Sequence, residues 1–291
     1  MDEELARKIK EENKKLHNFS GHNFDNYPPH LKKTVDEIFF NDTKKIKEII
    51  KIKNPSSLDC GCGTGYLALN LVKNGFKVDV IDISEEMIGI TKKKIMEKFP
   101  DNQDTEYIIE DIDKYLTETT KKYDLICFSA VLHHIGDYFR TLEFASKKLN
   151  DGGIIYVADE PQLSRRRKHA GHRLVETLSS ASIMGYRAFK NPKHALNFVS
   201  NRLFKKGSAK IDVGMAEFHA GTGLDDENIV EFFNKNKFTI LNFETYIVQP
   251  FKIFKITEGL YAGYPKTFKL IAQKAWRARE DRDCMNNFEK K

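Results

Sequence analysis

The chain has 291 residues, 40% of them hydrophobic, enough to bury a sizeable core and more than a bare α/β domain needs. A net charge of +6 against 31% charged residues is modest, which argues against a dedicated nucleic-acid binder while leaving room for a small anionic partner. No run of about 18 apolar residues is present to span a bilayer, the charged start Met1 to Lys8 lacks the apolar stretch of a secretory signal, and four cysteines make no disulfide scaffold, so a cytoplasmic protein is expected.

Asp2 to Lys53 is lysine-rich, with Val35, Ile38, Phe39, Ile46, Ile49 and Ile50 at steps compatible with two helices packed near the first strand. Between the charged start and those steps, the aromatics and turn formers of His17 to His30 suit a segment folding over a ligand. Leu58-Asp59-Cys60-Gly61-Cys62-Gly63-Thr64-Gly65-Tyr66 then reads as a strand, a tight loop and the start of a helix carrying Leu67, Ala68, Leu71 and Val72. Read from Gly61, the dinucleotide spacing Gly-x-Gly-x-x-Gly/Ala fails at Tyr66, but from Gly63 through Gly65 to Ala68 it passes. Asp59 tips the choice, because a carboxylate before the first glycine disfavours a pyrophosphate and suits a cationic ammonium or sulfonium. This favours S-adenosylmethionine over a nicotinamide cofactor. Cys60 and Cys62 form a C-x-C pair without the second pair of a zinc site, so no metal is expected.

Lys77 to Ile83 reads as a second strand ending in Asp82, which can accept hydrogen bonds from ribose hydroxyls, a device that NAD-binding folds share. Ser84 is placed to cap the next helix, with Glu85 and Glu86 in its first turn. Tyr107 to Ile112 is a third strand ending in an acid, suited to hold an adenine edge through Asp111 and the Ile112 amide. Leu125-Ile126 and Ile154-Ile155 belong to further apolar runs of the kind that parallel sheets bury on both faces, with helical patterns between them. Regularity stops at Pro161 and resumes with a helix at Asp225; within the interruption, Arg173 to Met184 reads as a helix.

The motifs Leu-Asp-Cys-Gly-Cys-Gly-Thr-Gly, Val-Ile-Asp-Ile-Ser, Glu-Asp-Ile-Asp and Tyr123 to Ile135 resemble the ordered motifs of class I S-adenosylmethionine-dependent methyltransferases. The likeness is close over Ser57 to Glu160 and looser over Asp225 to Lys274. It implies a doubly wound, Rossmann-like α/β sheet of seven strands, with N-terminal helices and a helical lid inserted after the fifth strand. The last two strands, Phe238 to Val248 and Lys266 to Lys274, are then an antiparallel pair. The implied units are a helical cofactor lid (1–54), a cofactor-binding core (55–160), an acceptor-pocket insertion (161–224), the completion of the sheet (225–275) and a charged tail (276–291). Asp59, Gly61, Cys62, Gly63 and Gly65 would border the methionine part, Asp82 the ribose with Ile83 and Met87 beside it, Asp111 and Ile112 the adenine, and Ser129 the cleft floor, with Tyr27 closing from the N-terminal segment. The activity implied is methyl transfer to a small-molecule acceptor, at oxygen by family base rate.

Ligands in open α/β sheets sit beyond the carboxyl ends of the strands, which makes His134, Glu160 and His219 the candidate catalytic residues. His133-His134 reads as a cofactor-lining turn, a general base or a metal pair, and Asp159-Glu160 as substrate ligands, proton acceptors or solvated acids. The basic run Ser164 to Arg173 suits a solvated lid face, an anionic acceptor, a membrane surface or nucleic acid. Ser129-Ala130-Val131-Leu132 stands where nucleic-acid amino-methylating enzymes carry Asn/Asp-Pro-Pro-aromatic, which counts against a nucleic-acid substrate. The alternatives are an NAD-dependent oxidoreductase built on Gly63, Gly65, Ala68 and Asp82, a non-catalytic nucleoside-binding regulatory module, or a nucleic-acid methyltransferase.

Overall fold

A computed structural model describes residues 2–24, 29–163, 212–216, 218–219, 222–246 and 267–276 with Gly185 and Phe189, and only the backbone at 19–24, 29–31 and 213. Seven strands form one sheet: β1 (Ser56–Cys60), β2 (Lys77–Asp82), β3 (Glu106–Ile109), β4 (Tyr123–Ser129), β5 (Leu149–Pro161), β6 (Phe238–Tyr246) and β7 (Thr267–Lys274), in the order β3-β2-β1-β4-β5-β7-β6. The first five run parallel, and β7 lies antiparallel between β5 and β6. The expected seven-stranded fold and its antiparallel final pair are present, with β6 and β7 ending within two residues of the expected limits.

The apolar strand runs are continuous because both faces are covered. Along β4, Ile126 and Phe128 join one core with Leu58, Ile155 and Val157, while Leu125 and Cys127 join another with Val78, Val80 and Tyr156. Each fully buried side chain of this kind stabilises the fold by roughly 1.5–3 kcal/mol. The layers are α3 (Tyr66–Lys73), α4 (Glu85–Lys98), α5 (Ile112–Glu118) and α6 (Tyr138–Lys147), with α7 (Val213–Ala216) and α8 (Asp226–Lys235) later in the chain. Ser84 caps α4 by accepting from the Met87 amide at 3.3 Å, as its position before Glu85-Glu86 suggests.

Two N-terminal helices are present, and they differ from expectation in extent. Helix α1 (Glu3–Phe24) continues through His17, and α2 (Pro29–Ile50) opens with proline at a position where its missing N–H does no harm. The described part of the supposed turn segment is therefore helical, while Tyr27 lies outside the described residues, as do the basic run from Arg165 onward and Arg173 to Met184. Helix α2 packs on α3 and β5: Asn70 Nδ2 donates to Asp36 at 2.9 Å, and Asp42 accepts from Tyr156 Oη at 2.8 Å and Lys269 Nζ at 3.0 Å. Helix α1 instead lies across the strand tips. Lys10 Nζ donates to Asp111 beyond β3 at 2.8 Å, Asn13 Nδ2 to the His134 carbonyl beyond β4 at 3.1 Å, and Asn18 Oδ1 accepts from Ser84 Oγ beyond β2 at 2.6 Å.

Candidate cofactor and acceptor site

The parallel strands reverse order between β1 and β4, and a cavity of about 760 Å³ opens beyond their carboxyl ends. After Cys60 the chain turns through Gly61 at φ 68°, fixed as the Gly61 and Cys62 amides donate to the Ile81 carbonyl at 2.8 and 3.0 Å. A Cβ on Gly61 would stand 2.3 Å from Val131 Cγ2, so this turn is pressed against the loop after β4. Gly63, at φ 51°, has nothing within 4 Å of where a Cβ would be, and it lines the cavity. Gly65 packs on Thr91 at the start of α3 and is not a lining residue.

Asp59 is buried, and its Oδ2 has no hydrogen-bond partner among the described residues. Burial pushes its carboxyl up to about 7, the neighbouring Asp82 charge adds to this, and a hydrogen bond from the Ala68 amide opposes it. Asp82 rises to about 6 through burial, opposed by amides including Ser84 N at 2.9 Å and Gly63 N at 3.0 Å. At the third tip, Asp111 Oδ1 caps α5 through Lys114 N at 3.0 Å and takes the Lys10 contact. The cavity wall also includes Cys62, Ile83, Met87, Ile112, Ser129 and His134. Among the described residues, no group of His, Cys, Asp and Glu side chains is arranged to hold a metal.

Of the three catalytic candidates, only His134 lines the cavity. Its Nδ1 lies 2.8 Å from the Ala216 carbonyl, which can only accept, so Nδ1 carries a proton and the neutral ring has its lone pair on Nε2. Glu160 is fully buried and turned away from the cavity: Oε1 accepts from the Val131 and Leu132 amides at 2.7 Å each, and Oε2 from His133 N at 3.3 Å and His133 Nδ1 at 2.8 Å. The expectation that Glu160 meets the substrate gives way to a carboxylate that shapes the loop after β4. His219 also stands outside the cavity wall, its amide donating to the His133 carbonyl at 2.8 Å and its Nε2 3.1 Å from the Gly136 carbonyl.

Several lining residues escape a reading of the sequence: Ala6, Ile9 and Asn13 from α1, and Lys32, Val35 and Phe39 from α2. His17 of α1 and Asp159 at the end of β5, both weighed in the sequence, line the cavity with them. The α1 group recurs at three- and four-residue steps, a single helical stripe that could have been found. His17 stacks edge-on to His134 with ring centroids 5.2 Å apart, and burial, with lesser contributions from His134 and His133, lowers it to about 3. It is therefore neutral at physiological pH. No described helix is long and apolar enough to cross a membrane.

The sheet order, the glycine turn and the acid-tipped strands together define a class I nucleoside-binding α/β protein. A family model described as a methyltransferase domain matches residues 24–207, more than half of the chain, and the chain belongs to that family. A ubiquinone biosynthesis O-methyltransferase of Coxiella burnetii is 29% identical over 115 residues, 40% of this chain and 47% of that protein, so the chain spans about half the length of this curated relative. An uncharacterized methyltransferase of Schizosaccharomyces pombe is 22% identical over 222 residues, covering 73% of this chain and 77% of that one. Magnesium protoporphyrin IX methyltransferase from Synechocystis PCC 6803, solved with bound SAH, shares the fold at 15% identity and a TM-score of 0.50, over 84% of this chain and 83% of that one.

Proposed function

We propose that the chain transfers a methyl group from S-adenosylmethionine to a small-molecule acceptor, at oxygen. The observation that carries this is Asp59, a buried carboxylate with an unpartnered oxygen at the tip of β1, beside a loop whose Gly63 leaves open space. Such a site attracts a cation and repels a pyrophosphate. The named activity of the Coxiella burnetii relative supports oxygen as the methylated atom.

When bound, S-adenosylmethionine supplies a methyl group already activated on a cationic sulfonium. The residues of the chain have only to hold, orient and keep dry. Asp59 meets the positive end; Asp82, already braced by the Gly63 and Ser84 amides, retains acceptor capacity for a ribose hydroxyl. Asp111, Ile112, Ile83 and Met87 enclose the base, and Cys62, Gly63 and Ser129 the methionine part. Positioning of this kind supplies roughly 7–11 kcal/mol of barrier reduction, against the roughly 10²–10⁴-fold of a placed base. Of the insertion 161–224, most lies outside the described residues; its described helix α7 packs on α1, where the Asp212 amide donates to Glu12 at 2.7 Å.

Calorimetry tests the assignment: S-adenosylmethionine and S-adenosylhomocysteine should bind, and NAD should not. Tight NAD binding without the other two would overturn it. The binding of S-adenosylmethionine also carries a pH signature. Asp59 is raised from 3.8 to about 7 in the empty fold, so its contribution to folding is full below about pH 4 and lost as pH rises through about 7. A cation prefers the ionised form, so affinity should fall about tenfold per pH unit below pH 7. Asp59→Asn should flatten this slope, and a pH-independent affinity in the native chain would remove Asp59 from the site. Asp82→Ala should weaken S-adenosylhomocysteine binding by about 1.5–3 kcal/mol, the scale of hydrogen bonds to a charged group. An unaltered binding isotherm would exclude a ribose contact.

A further inference from the structure

We infer that Asp159 is the residue that meets the acceptor, its carboxylate taking the proton of the nucleophilic hydroxyl. This rests on the methyl-transfer reading above and adds the group that handles the acceptor. Along the sheet, the tips of β3, β2 and β1 present Asp111, Asp82 and Asp59, the sequence of adenine, ribose and methionine sites. Beyond β1 the next tips are β4, with Ser129, and β5, with Asp159, and both residues line the same cavity. The acceptor therefore belongs at the β4–β5 end, under Val35 and Phe39 of α2, whose apolar side chains limit water.

The chain aims Asp159 there by an irregularity. Pairing of β5 with β7 shifts register between Val157 and Glu160, and Asp159 sits in the shift at φ 56°. Bulges of this type re-aim side chains beside active sites, and aspartate is one of the few residues that tolerates the left-handed region. The Tyr246 hydroxyl holds the bulge by accepting from the Asp159 amide at 3.0 Å. Behind it, Lys269 Nζ lies 5.9 Å over the Tyr246 ring and binds Asp42 of α2. Glu160 cannot serve in its stead, because its two oxygens are engaged by the loop after β4. Burial raises the Asp159 carboxyl to about 6, the Glu160 charge adds to this, and His133 and Tyr246 oppose it.

In the step itself, the acceptor oxygen forms the new bond to the methyl carbon while the carbon–sulfur bond breaks and its electron pair stays on sulfur. The hydroxyl proton passes to an Asp159 oxygen, and charge balances.

The test needs no acceptor. Sinefungin carries an amine in place of the methylsulfonium, whereas S-adenosylhomocysteine has a bare thioether there. Asp159→Asn, which keeps size and left-handed tolerance, should weaken sinefungin about tenfold, as for an opposite charge removed from within about 4–6 Å, and change S-adenosylhomocysteine by less than about twofold. Asp159→Gly should give the same ratio while relieving the backbone. An unchanged ratio in both variants would overturn the inference. If the native chain failed to bind S-adenosylhomocysteine, the cofactor assignment itself would fall, and this inference with it.

Discussion

Glu160→Ala is expected to lower the free energy of unfolding by about 3–5 kcal/mol, the scale of breaking a buried charged network. Four donors from Val131, Leu132 and His133 converge on this one side chain, and all would lose their acceptor in a site closed to water. Glu160→Gln separates shape from charge. Its oxygen can still accept from the Val131 and Leu132 amides, but its NH₂ group would face the His133 amide, a second donor, so a loss of about 1–3 kcal/mol should remain. Urea denaturation of both variants measures this. A midpoint for Glu160→Ala matching the native chain would mean that the loop after β4 does not depend on Glu160, and the contrast drawn with Asp159 would lose its basis.

Gly61→Ala should be nearly as damaging. A left-handed alanine costs about 1–2 kcal/mol and a forced contact in a packed core a further 1–3 kcal/mol, and here the new methyl would stand 2.3 Å from Val131 Cγ2 and 2.9 Å from Val131 Cβ. Gly63→Ala is the informative partner. It has the same sign of φ but meets nothing within 4 Å, so it should lose only the backbone part of the stability while its methyl projects into the space proposed for the cofactor. Thermal unfolding with and without S-adenosylhomocysteine distinguishes them: Gly61→Ala should melt earlier in either condition, whereas Gly63→Ala should chiefly lose the shift that the ligand produces. Identical behaviour of the two would contradict the division into a packed and an open glycine.

What was legible in the sequence was local. An acid at the end of each apolar run, Asp59, Asp82 and Asp111, is visible without the fold, because strand, tip and following helix are contiguous. The burial of β4 on both faces follows from its continuous apolar run for the same reason. What could not be read depended on partners far along the chain. The path of α1 is set by contacts from Lys10 to Asp111 and from Asn13 to the His134 carbonyl, so nothing within residues 3–24 shows that it lies across the tips. Asp159 and Glu160 carry the same readings in the sequence for a related reason: which of two adjacent acids faces the cavity depends on a register shift against β7, and nothing in Ala158-Asp159-Glu160-Pro161 announces it. The Asn13 and His17 stripe is the exception, since its spacing was open to inspection.

Helix α1 is fastened over the strand tips by a few polar side-chain contacts, each with a net contribution of about 0.5–1.5 kcal/mol. Its buried Ile9 and its packing on α7 add to these contacts, whereas opening the doubly covered sheet would forfeit the apolar cores on both sides. In the proposed reaction α1 stands between the cavity and solvent, so release of the spent nucleoside would call for this helix to move, and such motions run on the microsecond-to-millisecond scale. The throughput of a site built this way is bounded by how often its roof opens and not only by the chemistry beneath it.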